Sequence, residues 1–408
     1  MTASSWLSDV RWLDVRRGTW RHNDLRIADG RIAEIAAVGT AGGTPDRHDL
    51  AGRYVLPGLI DCHVHVYAMT ANLGELESTA TSYATMHAAR LMGDMLDRGF
   101  TTVRDTGGGD FGLADAQAEG LLRGPRLFFG GKALSQTGGH GDSRARGAHH
   151  AADHRCCASL GMIADGPDAV RKAARDQLRT GAHHVKIMAG GGVASPTDRV
   201  DSLQYSAAEM RAVVEEAEDA GRYVAAHAYT PGAIQRAIGA GVRSIEHANL
   251  MDEAAADAIA AADAFVTMNL VTYWALQEIG PSVGLPPVSH AKVVDVLDAG
   301  ERALRLAVEK GLNLCYGTDL LGDMQEHQSQ EFAIRARHQD VIDVIRSATT
   351  TAAALLRAEG EIGEITEGAH ADLLVLDRDP LTDVTALSDP HPVHVFQGGV
   401  DRLRRTTA

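Results

Sequence analysis

Gly58-Leu59-Ile60-Asp61-Cys62-His63-Val64-His65-Val66 carries two histidines two residues apart, directly after the apolar run Tyr54-Val55-Leu56-Pro57. On a strand, side chains at i and i+2 leave the same face, so His63 and His65 can aim at one ion. Cys62 and Val64 would then face packed helices. An isolated His-x-His is more often one core histidine and one exposed histidine. The residues downstream decide between the two readings.

Toward the C-terminus, short apolar runs alternate with helical segments. Strands are expected at 58–65, 99–105, 126–133, 183–189, 223–229, 243–248, 264–270 and 312–318. The intervening helices are punctuated: Ser206 and Glu209 form a capping box on a helix running to Gly221. Thr230 is an N-cap followed by Pro231 at N1, with Gly239 and Gly241 closing that helix. The segment from Asp168 to Arg179 is amphipathic and stops at Gly181. Eight strands alternating with helices predict a parallel (β/α)8 TIM-like barrel over 58–358, an open doubly wound sheet being the competing arrangement. The longest excursion, 134–166, is rich in Gly, His and Arg and is expected over the barrel mouth.

Both ends of the chain have a different character. Asp29-Gly30 before Arg31-Ile32-Ala33-Glu34-Ile35 reads as a hairpin, and Ala371-Asp372-Leu373-Leu374-Val375-Leu376-Asp377 and His394-Val395-Phe396 share that strand-like character. Residues 1–57 and 359–408 together are expected to form one small β-sandwich domain.

Composition narrows the function. A net charge of −15 speaks against nucleic acid or an anionic membrane as partner, since nothing would neutralise phosphates. The apolar fraction of 45% and charged fraction of 23% are those of an ordinary globular chain. No apolar run approaches the roughly 20 residues of a membrane span. Met1-Thr2-Ala3-Ser4-Ser5-Trp6 lacks a basic region followed by an apolar core, so no signal peptide is expected. Four cysteines, with Cys156 and Cys157 adjacent, make no disulfide framework. The expectation is a cytoplasmic protein.

In such a barrel the C-terminal ends of the strands converge on one mouth. Strand one ends in His63 and His65, strand four carries Lys186, strand five ends in His227, strand six in His247 and strand eight in Asp319. Four histidines and a carboxylate are N/O ligands suited to zinc and its neighbours. Singly, each could be a core histidine or a helix cap; jointly, they suggest a metal centre. A free lysine, with a pKa of about 10.4, cannot coordinate a cation. Lys186 is therefore either trapped by CO2 as a two-oxygen carbamate or paired with a carboxylate, and the residues alone leave both open.

Taken in order, these features resemble the amidohydrolase superfamily, over the whole chain including the β domain built from both ends. More narrowly, Gly131-Lys132-Ala133-Leu134-Ser135-Gln136-Thr137-Gly138-Gly139-His140-Gly141-Asp142 and the segment from Val185 to Asp198 look like the branch of zinc-dependent Xaa-Pro dipeptidases and Arg/Lys carboxypeptidases, with imidazolonepropionase nearby. The resemblance implies two divalent ions, expected as zinc. His63, His65 and Asp319 would hold one, His227 and His247 the other, and carboxylated Lys186 would bridge them with a hydroxide. That hydroxide would attack the amide carbonyl, with Asp319 moving the proton to the leaving amine. His140 and Tyr229, by the same resemblance, would face the substrate.

The substrate so implied is a small amide: an Xaa-Pro or similar dipeptide, or an N-acyl amino acid. Cyclic amides and carbamates suit the same centre. A non-catalytic scaffold that keeps the barrel would be expected to have lost ligands, and none is missing. Many members of the superfamily form multimers, which makes a homo-oligomer an expectation by analogy. Three further signals are weaker. His149, His150 and His154 near Cys156-Cys157 match no structural zinc spacing. Gly190-Gly191-Gly192 lacks the remainder of a phosphate-binding motif and is expected to be flexible backbone near the mouth. Arg104-Asp105 and Trp274 read either as pocket lining or as an internal ion pair and a core aromatic.

Overall fold

The computed structural model describes residues 4–144, 147, 158–195 and 197–404. His149, His150, His154, Cys156 and Cys157 lie outside the described residues. Among the described residues, parallel strands Leu59–Val64, Phe100–Asp105, Arg126–Phe129, Val185–Met188, Val224–Ala228, Ser244–His247, Phe265–Thr267 and Asn313–Cys315 follow one another around a TIM-like barrel. The last strand meets the first through Cys62 N–H to Tyr316 O (2.8 Å) and Asp319 N–H to His63 O (2.8 Å), so the sheet closes instead of ending in open edges.

The third strand is shorter than the apolar run 126–133 suggests. It stops at Phe129, resumes as Ala133–Ser135, and pairs there with the fourth strand through Leu134 and Ile187. Two glycines cause the break. A Cβ on Gly130 would sit 2.7 Å from the ring of buried His184, and Gly131 has a φ of +70° with Gln177 Oε1 pressed against it. The backbone bends where only glycine leaves room.

The helices begin where the capping residues place them. Ser206 and Glu209 form the reciprocal capping box of helix Ala207–Asp219, whose Met210, Val213, Val214 and Ala217 enter the core at helical spacing. Thr230 caps Pro231–Gly239 through Ala233 N–H. Cys62 and Val64 are buried against the outer helices, on the side of the strand opposite the histidines. Among the described residues, no helix is long and apolar enough to cross a membrane.

The two chain ends build one eight-stranded sheet. Tyr54–Pro57 runs between Ser4–Asp14 and Leu373–Leu376, so a strand from the end of the chain completes a sheet begun at its start. Alternation divides its faces. Val55, Leu373 and Val375 join Leu7, Val10 and Leu25 in the sheet's own core. Leu56, Leu374 and Leu376 pack with the barrel's Leu59, Phe100 and Val103. Asp29 and Gly30, both at positive φ, make the hairpin turn between Thr19–Ala28 and Arg31–Ala36.

Glu331 shows how the helix after the seventh strand is held. Its Oε2 accepts Val271 N–H (2.7 Å) in the first turn of Leu270–Glu278, while Oε1 has no hydrogen-bond partner among the described residues. Burial pushes this carboxyl from 4.5 up to about 7. The folded state then holds a proton that the unfolded state has lost between these values, and wild-type stability falls as pH rises through the window. Glu331→Gln should be more stable at pH 8 by about 3 kcal/mol, with the gain gone at pH 4. Urea unfolding across this range checks it; a gain that does not change with pH would contradict the assignment.

Candidate metal centre

The first strand and the loop after the eighth bring three donors together. His63 Nε2 lies 3.4 Å and His65 Nε2 3.2 Å from the same atom, Asp319 Oδ1. The three ligand atoms lie within 4.8 Å of one another. Each imidazole is held from behind: His63 Nδ1–H donates to Glu246 Oε2 (2.9 Å) and His65 Nδ1–H to Gly107 O (2.8 Å). Carboxylate and carbonyl oxygens accept, so in the neutral rings the Nε2 lone pairs face Asp319. Metal-binding histidines need this tautomer and this backing, and the donor set therefore fits a divalent cation.

His227 and His247 lie beside it, their rings 4.5 Å apart and His247 5.0 Å from His63. His227 Nε2–H donates to Gly191 O (3.0 Å), which leaves Nδ1 free to coordinate. His247 Nδ1 bonds the Tyr273 hydroxyl (2.9 Å), which donates onward to Tyr229 Oη (2.9 Å). That direction leaves His247 Nε2 unprotonated. Lys186, on the fourth strand, is buried, and its amine makes no hydrogen bond or ion pair among the described residues. The carboxylates of Glu246 and Asp319 act on it through charge without a direct ion pair, and burial outweighs them and pushes its pKa down to about 8.

The electrostatics favour ligand-ready groups. Burial drives His63, His227 and His247 well below the ordinary histidine value, so these rings stay neutral. Burial also opposes charge on His65, but the hydrogen bond and charge of Asp319 outweigh it and raise the pKa. Burial would raise Asp319, yet His63, His65 and Lys186 together hold it below the usual carboxylate range. The backbone is strained here as well: His247 and Asp319 have φ of 78° and 52°, a region non-glycine residues rarely occupy.

His140 and Tyr229 also reach this mouth. The His140 ring lies 4.2 Å from that of His227, and Tyr229 lies 4.7 Å from His227 and 5.2 Å from His247. Gly190-Gly191-Gly192 is not loose backbone. A Cβ on Gly191 would lie 1.8 Å from Arg199 O, and one on Gly192 2.0 Å from the His140 ring. These glycines permit close approach in a packed loop. Trp274 is part-exposed and edge-on to His327, and Arg104 forms a buried pair with Glu246.

Of the supporting residues, Arg104 and Asp105 were singled out in the sequence, whereas Glu246 and Asp61 were not. Glu246 receives Arg104 Nη2 on both oxygens (2.8 Å each), Ser244 Oγ–H (2.6 Å) and His63 Nδ1–H. Asp61 accepts His63 N–H (3.0 Å), Thr318 Oγ1–H (2.7 Å) and Gln328 Nε2–H (2.9 Å), tying the first strand to the Asp319 loop. Asp105 accepts the N–H groups of Val66, Gly107 and Gly109, fixing the carbonyl that holds His65. The available signal was a carboxylate next to a candidate ligand, as Glu246 is to His247.

A family model described as "Amidohydrolase family" matches residues 54–400. An ochratoxinase of Aspergillus niger is 31% identical over 360 residues, 85% of this chain and 75% of the relative. A solved prolidase in complex with N-methylphosphonate-L-proline is 44% identical, with a TM-score of 0.96 over 98% of this chain and 99% of the other. A solved Xaa-Pro dipeptidase with methionine bound in its active site is 28% identical, with a TM-score of 0.86 over 98% and 99%.

Glu246→Gln should expose how much of the site rests on one carboxylate. With its charge removed, Arg104 becomes a buried cation without compensation, which should cost on the order of 3–5 kcal/mol in urea unfolding of the metal-free protein. A loss under about 1 kcal/mol would show that the pair is not structural.

Proposed function

Because the chain belongs to the amidohydrolase family, we propose that it is a metal-dependent hydrolase cleaving the C–N amide bond of a small substrate, an Xaa-Pro dipeptide or a related N-acyl amino acid. The observation that carries this reading is the approach of two histidine Nε2 atoms to one oxygen of Asp319. The similarity to a prolidase at 44% identity and to an Xaa-Pro dipeptidase supports the choice of substrate. The ligand of the first is apt, since a tetrahedral phosphorus on the proline nitrogen has the shape of an amide carbonyl under attack.

His63, His65 and Asp319 would hold one ion, and His227 Nδ1 with His247 Nε2 the other. Zinc suits this N/O donor set. Bound there, the ions would make water acidic enough to attack at neutral pH and would polarise the scissile carbonyl. Lys186, with a depressed pKa and no direct ion pair, has a fraction of its amine unprotonated near neutral pH and open to CO2. An N–C bond would form as one proton leaves, and the resulting carbamate would add two oxygen donors to those that could hold the ions.

Asp319 is held ionised, so it takes the proton released on attack and returns it to the leaving nitrogen. Burial keeps the Tyr229 phenol protonated. Its oxygen accepts from Tyr273, which leaves its own hydrogen for a substrate oxygen.

Asp319→Asn should lower kcat at least about 100-fold while the circular dichroism spectrum is kept. A near-normal kcat would remove Asp319 from proton transfer. Lys186→Ala should bind fewer metal ions by mass spectrometric or plasma-emission analysis, with partial recovery on adding acetate or propionate. Two ions retained without such help would rule out the bridging carbamate. Substrate choice is tested with zinc-reconstituted protein on Xaa-Pro dipeptides, N-acyl amino acids, cyclic amides, carbamates and ochratoxin; turnover confined to the cyclic compounds or carbamates would overturn the dipeptide reading.

A further inference from the structure

The loop after the fourth barrel strand contains a buried chain of hydrogen bonds that ends on His140. His140 Nδ1 lies 2.8 Å from Ser195 Oγ, and Ser195 is hydrogen-bonded in turn to Asp198. Ser195 and Asp198 are only 4% and 8% exposed. Apart from His140 itself, the other polar neighbours of the Asp198 carboxylate among the described residues are all donors. Gly192 N–H and Gln204 Nε2–H reach Oδ2 at 3.0 Å each, Lys292 Nζ lies 3.6 Å from Oδ1, and His140 Nδ1 lies 4.0 Å from Oδ2. The Gln204 amide is oriented by its own carbonyl, which accepts His140 N–H at 2.8 Å.

A carboxylate surrounded by donors acts as an acceptor, so the single Ser195 hydroxyl hydrogen belongs to Asp198. The Ser195 oxygen must then accept from His140. Lys292 makes this arrangement stiff. From the 23-residue helix Pro287–Glu309 it donates to the carbonyls of Gly192 (3.0 Å), Ser195 (2.9 Å) and Asp198 (2.8 Å), tying the loop to a helix about a hundred residues further along the chain.

We propose that Ser195 and Asp198 are positioning residues that hold His140 as its Nδ1–H tautomer, leaving Nε2 as a hydrogen-bond acceptor on a ring 4.2 Å from His227. The consequence deepens the hydrolase reading and rests on it. His140 offers the substrate an acceptor, and it hydrogen-bonds a substrate oxygen only after it has itself taken up a proton. Polarising the carbonyl from a neutral His140, the simplest use of this residue, is thereby excluded.

The test is the nitrogen NMR spectrum of full-length protein labelled with 15N-histidine, recorded metal-free and zinc-loaded, with the His140 signals identified by their loss in His140→Gln. The wild type should show a pyrrole-type Nδ1 and a pyridine-type Nε2. Ser195→Ala and Asp198→Asn should move His140 toward the opposite tautomer, and Ser195→Thr should restore the original one. If Asp198→Asn does not fold, the wild-type spectrum and the two serine variants decide. An Nε2–H tautomer in the wild type, or an unchanged tautomer in folded Ser195→Ala, overturns the proposal. On any amide substrate turned over, Ser195→Ala should lower kcat roughly 10- to 100-fold with KM moving less than about threefold. The spectra need no substrate, so a protein with the expected tautomer and no amidase activity would refute the hydrolase reading alone.

Discussion

A carboxylate and a guanidinium, Glu246 and Arg104, meet with no solvent access in the middle of the barrel. Removing two charges from water is costly, and such a pair is tolerable only when its remaining hydrogen-bonding capacity is satisfied. Here the partners come from four strands: Arg104 from the second, Glu246 and Ser244 from the sixth, Cys62 O and His63 Nδ1 from the first, and Thr267 Oγ1 from the seventh. The geometry that satisfies the pair also sets the mutual register of those strands. His63 inherits its tautomer from this arrangement, and Asp319 faces a lone pair instead of a hydrogen. Core electrostatics and coordination chemistry are in this sense one requirement.

The barrel was legible because capping residues mark the start of several helices and polar residues stand at or just past the ends of several strands. His63 and His65 obey strand alternation, and Ser206 with Glu209 forms the expected capping box. What escaped was how residues that depart from periodicity reach the site. Glu246 and His247 are neighbours and should face opposite ways, yet both serve the interior because the backbone at His247 is left-handed and turns its ring back. Asp319 lies four residues past the end of its strand; Gly317, whose Cβ would collide with Thr267, and the Asp61–Thr318 contacts place it there. Ser195 and Asp198 sit in a loop with no pattern at all, and only the folded backbone brings them to His140.

The same division separates chemistry from specificity. The groups proposed to handle the amide come from strand ends whose positions the barrel determines. Selection among substrates would belong to the connecting segments, which the barrel leaves free to vary. Tyr273 illustrates the boundary. It belongs to the helix after the seventh strand, outside the strands that carry the candidate ligands, yet it links His247 to Tyr229 by hydrogen bonds and so couples a candidate ligand to a proposed substrate-facing residue.

The terminal sheet has a consequence for biosynthesis. Tyr54–Pro57 is synthesised early but pairs with Leu373–Leu376, more than three hundred residues later. A ribosome therefore releases most of the barrel before the partner of that early strand exists, and Leu56 has to wait beside the barrel wall with one edge unpaired. Contacts of such long range are slow to form, and open strand edges attract other chains. Recombinant yield should accordingly be governed by how well the emerging polypeptide is shielded until its final strands arrive.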